Sequence, residues 1–241
     1  MSWKEDLTEK LSALSKAEFE YVETKDISRL SEIDLKCTGL YTEATIIYFE
    51  IKNLTYLLKE QGRRKVAQAY TMYREVLGTI AEQTGAIVNN FSPNAFLIIY
   101  PGKEETYAPA IKSAMNIVCA LTDTYKQDFA HIVGLEFAMG MDHGHVMGSK
   151  NLSDTGMEHI TWFGSCIYKA ARICKECIRP YYIGISGTIY HSLPEELRIT
   201  YRRILGLKKS VEIWTKVTYQ YDNVKKHLYQ TNNKLALDEE L

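Results

Sequence analysis

Hydrophobic positions recur along this chain with two spacings, one near 3.6 residues and one near 2, and the switches between them outline its elements. Residues 3 to 20 place Trp3, Leu7, Leu11, Leu14 and Phe19 at three-to-four-residue intervals, which predicts an amphipathic helix that must pack on something. Residues 22 to 40 are polar, with a short helix expected around Ile27 to Ile33. The β-branched and aromatic run Thr45-Ile46-Ile47-Tyr48-Phe49 predicts a buried strand over 44 to 50. Residues 54 to 85 carry Leu57, Leu58, Val66, Tyr70, Tyr73, Val76, Leu77 and Ile80 in helical register. The register breaks only near Gly62, so two helices ending at Gly85 are expected. Two strand-like runs, 86 to 91 and 95 to 100, flank Ser92-Pro93-Asn94 and read as a β-hairpin.

Further on, Ile111, Ala114, Met115, Val118 and Leu121 give one side of a helix over 109 to 125. A strand pair of alternating character is expected over 135 to 146, a helix over 167 to 178, a strand over 181 to 186 and a short helix from 188 to 193. Trp214 falls in a final strand, 210 to 218, and residues 219 to 241 read as a polar tail that frays. The order is β-α-α-β-β-α-β-α-β with a β-rich end. A hairpin together with helical crossovers requires strands of both directions, so the expected class is α+β, a mixed sheet with helices covering one face. With no repeat or linker composition, the chain divides into an N-terminal helical arm (1–40), one domain (41–218) and the tail (219–241).

Composition narrows the function classes. The 241 residues, 46% hydrophobic, suffice for a sizeable core. Lys and Arg total 29 against 30 for Asp and Glu, a balance that gives no support for a nucleic-acid binder. The N-terminus is dense in charge, and no run reaches about 18 uninterrupted apolar residues, so a cytoplasmic protein without membrane contact is expected. Five cysteines at irregular spacing argue against a disulfide framework, and Cys174-Lys175-Glu176-Cys177 reads as two buried thiols on a helix.

Candidate chemistry gathers at Glu50. It stands where the hydrophobic run is about to end, at the mouth of a strand-to-helix turn where backbone amides and a metal can hold a polyphosphate. A strand simply ending at the surface accounts for the same residue. His143 and His145 fall on one strand face, two ligands without a third, and Arg63-Arg64-Lys65 reads as a solvated helix face.

Four short segments, in order, resemble the catalytic-domain motifs of class III nucleotidyl cyclases, the adenylate and guanylate cyclase family. Tyr48-Phe49-Glu50-Ile51-Lys52-Asn53-Leu54-Thr55 resembles F-A-D-I-x-G-F-T, with Glu50 where the metal-binding aspartate would stand. Residues 88 to 94 resemble the hairpin whose Gly-Asp tip supplies the second metal aspartate; here the tip is Pro93-Asn94, and Asn94 is neutral. Gly140-Met141-Asp142-His143-Gly144-His145-Val146 resembles the strand motif G-I-D-x-G-x-V. Residues 161 to 172 resemble W-x-G-x-x-x-N-x-A-A-R, with Arg172 in place and Tyr168 replacing the asparagine. A closer likeness, to the stand-alone pyrimidine cyclases of bacterial Pycsar antiphage systems, rests on several segments. They are the WKEDL opening, the FEIKNLT turn and the run from Trp162-Phe163-Gly164 through Pro180-Tyr181-Tyr182-Ile183 to Leu193-Pro194.

The resemblance implies a ferredoxin-like cyclase fold for residues 41–218 and cyclisation of CTP or UTP to the 3′,5′-cyclic nucleotide. It further implies a homodimer with shared sites and a separately encoded effector that responds to the product. On that template Glu50 and Asn94 would hold Mn²⁺ or Mg²⁺ in a weakened two-metal site, and Thr55 would contact phosphate. Asn90 and Thr161 would meet the base, Tyr168 the ribose, and Arg172 the phosphates. The two departures, Asn94 and Tyr168, equally suit a catalytically impaired pseudo-cyclase that binds a nucleotide or a partner as a dimer.

Overall fold

The strand built on the Thr45 run is longer than its apolar centre and pairs on both sides. It spans Thr38–Ile51 (β2) and is the axis of the sheet. The computed structural model describes residues 2–16, 18, 20–23, 38–132, 134, 136–152, 158–204 and 207–237. Ahead of β2 lie a helix, Trp3–Lys16 (α1), and a short strand, Glu20–Glu23 (β1). Two helices follow it, Leu54–Gln61 (α2) and Arg63–Gln83 (α3), and they part at Gly62, whose φ of 79° suits glycine. The hairpin is Ile87–Ser92 (β3) and Ala95–Pro101 (β4), and the next helix is Tyr107–Cys119 (α4), prolonged by a wider turn over Ala120–Thr124. Then come Phe137–Leu152 (β5), Glu158–Phe163 (β6), Ser165–Glu176 (α5), Ile183–Ser186 (β7) and Gly187–Ser192 (α6). The chain closes with Ile199–Ile204 (β8), Leu207–Glu212 (β9), Thr215–Tyr221 (β10) and Val224–Thr231 (β11).

The main sheet runs β10-β11-β7-β5-β2-β4-β3, with β1 beside the start of β2 and β6 beside the end of β5. β2 is antiparallel to β4 and β5 and parallel to β1, and β5 and β7 are parallel and joined through α5, so the sheet is mixed as the order of elements predicts. Alternation along β2 sends Ile47, Phe49 and Ile51 into a core with Tyr73 and Leu77 of α3 and Ile111 and Met115 of α4. Its other face carries Ala44 and Ile46 against Cys166, Ile167 and Ala170 of α5. The helices therefore divide between the two faces, and α5 has one face to itself.

Small residues set the depth of α5. A Cβ on Gly140 would stand 2.0 Å from the Ala170 carbonyl oxygen and 2.3 Å from the Cys174 nitrogen. One on Gly184 would meet Cys177 Sγ at 2.5 Å. Only hydrogen fits at either place, so the backbone of α5 rests directly on β5, and the Ile173 and Cys177 side chains rest directly on the backbone of β7.

Five expectations change. Helices cover both faces of the sheet, not one, because α5 packs opposite α3 and α4, and Trp214 lies between β9 and β10, not inside one strand over 210 to 218. Residues 137 to 146 belong to one long strand, β5, which runs on to Leu152 because its polar half is paired with β6 as well as with β2. Residues 219 to 231, expected in the polar tail, are not frayed: β10 and β11 form a hairpin, β11 pairs with β7, and Leu228, Tyr229, Gln230 and Thr231 are buried. Its turn, Asp222-Asn223, has φ of 49° and 61°, the geometry of a type I′ hairpin, and that dipeptide is the signal in the sequence. The arm boundary at residue 40 cuts through β2, to whose first residues β1 is paired. The short helix expected around Ile27 to Ile33 lies outside the described residues. On α1, Trp3, Leu7 and Leu11 are exposed, so its apolar stripe is not packed among the described residues.

Replacing Gly140 with alanine is expected to destabilise the protein by about 3 kcal/mol, because the helix or the strand must move. In a chain of this length that lowers Tm by roughly 6–12 °C. Gly78→Ala, in α3 where an added Cβ meets nothing within 4 Å, should instead stabilise by about 0.5–1 kcal/mol. Thermal melts of the two variants check both, and equal melts would contradict the seating of α5.

Candidate active site

Glu50 lies in register with Ala95 of β4 and Ala138 of β5, two small neighbours, on the face that α5 covers. The backbone binds the hairpin tip to β2, for Ile51 N donates to the Asn94 carbonyl at 2.8 Å. Side chains then close around the carboxylate. Asn94 Nδ2 donates to Glu50 Oε1 at 3.2 Å and to the Ile51 carbonyl at 3.4 Å, while its own Oδ1 accepts from Ser92 Oγ at 2.9 Å. Lys52 Nζ lies 3.3 Å from Glu50 Oε2 and 2.7 Å from the Cys174 carbonyl oxygen. The Cys174 thiol, whose nearer acceptor is the Ala138 carbonyl at 3.3 Å, also lies 3.7 Å from the same Oε2. Thus the two residues expected to be metal ligands do meet, joined by a third, Lys52, which was not singled out. It stands two residues past Glu50, on the same side of the chain, and that spacing was its signal.

This donor set does not fit two divalent ions. Mn²⁺ and Mg²⁺ take hard, anionic oxygens, and a pair held within bonding range of one triphosphate needs more than one carboxylate. Here both oxygens of the single carboxylate already accept hydrogen bonds, and the Asn94 amide directs its NH₂ into the space between Glu50 Oε1 and the Ile51 carbonyl. The charge is balanced by Lys52. Among the described residues no group of three or more His, Cys, Asp or Glu side chains could hold a metal ion. The expected two-metal site therefore gives way to a site closed by an amide and an ammonium.

The residues assigned to the base lie elsewhere and together. Asn90 of β3 and Thr161 of β6 line one cavity of about 380 Å³, with Arg74, Phe91 and Trp162. The Trp162 indole N–H is buried and without a partner among the described residues. Tyr168 and Arg172 sit one turn apart on the exposed side of α5, opposite buried Cys166, Ala170, Ile173 and Cys174. Arg172 Nη2 pairs with Glu176 Oε1 at 2.9 Å. Thr55 is exposed in the first turn of α2, and the turn before it is pinned by Asn53, whose side chain bonds the Gly134 carbonyl and the Glu136 N–H.

Charges nearby are arranged to stay put. Burial, reinforced by the Glu50 carboxylate, pushes the Tyr48 hydroxyl up to about 12, so it remains a neutral wall of the site. Under α5, Lys169 Nζ pairs at 3.1 Å with Asp142, which is buried in the β5 strand. His143 spends both ring nitrogens on protein partners, Thr45 Oγ1 at 3.0 Å and Glu43 Oε1 at 3.1 Å, and His145 stacks on Tyr41. The hydrogen bond from His143 holds the Glu43 carboxyl below its usual range. These histidines fasten β5 to β2, and Arg63, Arg64 and Lys65 are exposed on α3 as expected.

The mixed sheet centred on β2, with the hairpin beside it and helices on its faces, has the fold of the class III nucleotidyl cyclase catalytic domains among solved structures. The chain is similar over its whole length to the uridylate cyclase of Xanthomonas perforans, with 21% identity over 99% of this chain and 100% of that one. Among solved structures it superposes on the guanylyl cyclase Cya2 with a TM-score of 0.64 and 15% identity, covering 81% of this chain and 94% of that one. The adenylyl cyclase CyaB from P. aeruginosa gives 0.63 and 16%, over 84% and 98%. No protein-family model matches the chain. Among the described residues no helix is long and apolar enough to cross a membrane.

The CxxC thiols are buried and unbridged. Burial raises both, Cys177 to about 12 and Cys174 well above the usual thiol range, and Cys166 likewise to about 12. Alkylation of the native protein near neutral pH should therefore modify half-buried Cys119 at least about a hundredfold faster than these three. Mass spectrometry after timed quenching measures it, and early labelling of Cys174 or Cys177 would contradict the packing described.

Proposed function

We propose that the chain is a nucleotidyl cyclase of the pyrimidine type, converting CTP or UTP to the 3′,5′-cyclic nucleotide and pyrophosphate. In this reading it acts as a homodimer whose product signals to a separately encoded effector in antiphage defence. The observation that carries it is the placement of chemistry on one sheet face: the Glu50–Asn94 cluster at the head of β2 and, on α5 over the same face, Tyr168 and Arg172 turned outward. A twofold partner brings a second copy of each set, so that α5 of one subunit can serve the β2 head of the other.

In the reaction the ribose O3′ loses its proton to solvent and bonds to the α-phosphorus, and the bond from that phosphorus to the pyrophosphate oxygen breaks. Negative charge gathers on the phosphate oxygens as this happens. Arg172 meets it with a planar, permanently charged fork, exchanging its Glu176 partner for phosphate. Tyr168, one turn earlier, offers its ring to the ribose, and Thr55 offers a hydroxyl to the triphosphate at the start of α2. Asn90 and Thr161 each both donate and accept, which suits the mixed edge of uracil or cytosine. The name of the Xanthomonas perforans relative supports the pyrimidine choice.

A second reading, a pseudo-cyclase that binds nucleotide as a dimer without turnover, is favoured by one observation: Lys52 already neutralises Glu50 where a metal centre would need free carboxylates. Incubating the purified protein with CTP, UTP, ATP and GTP in turn separates the two. A cyclic pyrimidine product is expected, falling by about 10³-fold or more in Arg172→Ala. Nucleotide binding without any product would favour the second reading, and a cyclic purine alone would overturn the pyrimidine assignment.

A further inference from the structure

We propose that Lys52 is the resident cation of this site: with the Asn94 amide it takes the place and the charge of divalent ions, so that triphosphate binding here does not depend on metal. The inference rests on reading the head of β2 as a triphosphate site. Three observations carry it. The ammonium lies within 3.3 Å of the only carboxylate in the cluster, and its side chain retains 21% exposure, so it is reachable from solvent. Two of its three N–H donors are used, by Glu50 Oε2 and the Cys174 carbonyl, which leaves one for a phosphate oxygen. On the other side of Glu50, Asn94 Nδ2 donates to Glu50 Oε1 and to the Ile51 carbonyl, so an amide N–H already occupies the oxygens between the strand end and the hairpin tip.

The arrangement is also held in place. The Cys174 carbonyl lies near the end of α5, where the helix dipole is negative and favours a cation, and that end is fixed by the glycine seat on β5 and β7. Asn94 is fixed from both sides, by Ser92 and by its backbone bond to Ile51. A metal bound between Glu50 and residue 94 would have to expel both the amide hydrogens and the ammonium. A triphosphate needs to expel neither, since it approaches as the missing acceptor.

A purely structural Lys52, one that only ties α5 to β2, would lower the melting temperature on removal and leave the metal dependence of binding alone. Calorimetry with non-hydrolysable α,β-methylene UTP, in EDTA and in excess Mg²⁺, distinguishes the roles. The wild-type chain is expected to bind in both, with Kd values within about threefold. Lys52→Met should weaken binding by about tenfold or more in EDTA, Lys52→Arg should restore most of it, and Lys52→Met combined with Asn94→Asp should bind only when Mg²⁺ is present. Wild-type binding in Mg²⁺ that vanishes in EDTA would overturn the role of Lys52 while leaving the nucleotide site standing. Unchanged affinity of Lys52→Met in EDTA would do the same, and absence of binding in either buffer would sink the nucleotide site itself. Should Lys52→Met fail to fold, Lys52→Arg and the wild type keep the test: wild-type binding lost in EDTA still overturns the proposal, and Lys52→Arg is expected to bind in EDTA nearly as the wild type does.

Discussion

The backbone contact between α5 and the strands beneath it is the constraint on which the rest depends. Gly140 and Gly184 let the helix settle where any side chain would strike its carbonyl oxygens, amides or thiols. That depth brings the Cys174 carbonyl to Lys52 and the Cys174 thiol to Glu50, and so couples the end of a helix to the head of the central strand. The same seating turns the other side of α5 outward, where Arg172 and Tyr168 stand free of the core. Asp142 and Lys169 add a charge pair beneath the helix, buried on the strand side and open on the helix side. One packing solution therefore builds both the closed polar cluster and the exposed cationic edge.

Within that frame the cluster at the head of β2 differs in its electrostatics from a site built on paired carboxylates. A pair of carboxylates facing each other across 3–4 Å demands cations; an amide and a carboxylate at 3.2 Å satisfy each other. With Lys52 alongside, the cluster carries one negative and one positive charge, and it is stable without a guest. The cavity formed by Asn90, Thr161 and Trp162 is a separate compartment, built from the hairpin and from β6 at the far end of β5. In the proposed reading, recognition of the base and handling of the phosphates fall to different edges of one subunit, a division that a twofold assembly would use.

Much of this was legible from residue patterns. The Thr45 run, the break at Gly62, the hairpin around Ser92-Pro93-Asn94 and the helix bearing Arg172 all follow from hydrophobic period and turn chemistry, because in each the buried face is apolar along its whole length. The parts that escaped are those where pairing, not apolar content, holds the strand. β6 is short and turns apolar only at Ile160, Trp162 and Phe163, the outer half of β5 is largely polar, and β11 buries residues on both faces only along its second half, so an alternation count finds little. Lys52 escaped for another reason: a lysine beside a carboxylate at a strand end is ordinarily a solvated pair, and only the distant Cys174 carbonyl, brought in by tertiary packing, gives it a fixed place.

The central claim is that the β2 head of one subunit works with α5 of the other. Complementation tests it most directly: Glu50→Ala chains and Arg172→Ala chains, each inactive alone, are unfolded together, refolded as a mixture and assayed for cyclic nucleotide. If sites are shared, half the dimers are mixed and each carries one intact site of two, so the mixture should recover about a quarter of wild-type activity. A mixture as inactive as its parents would contradict the account.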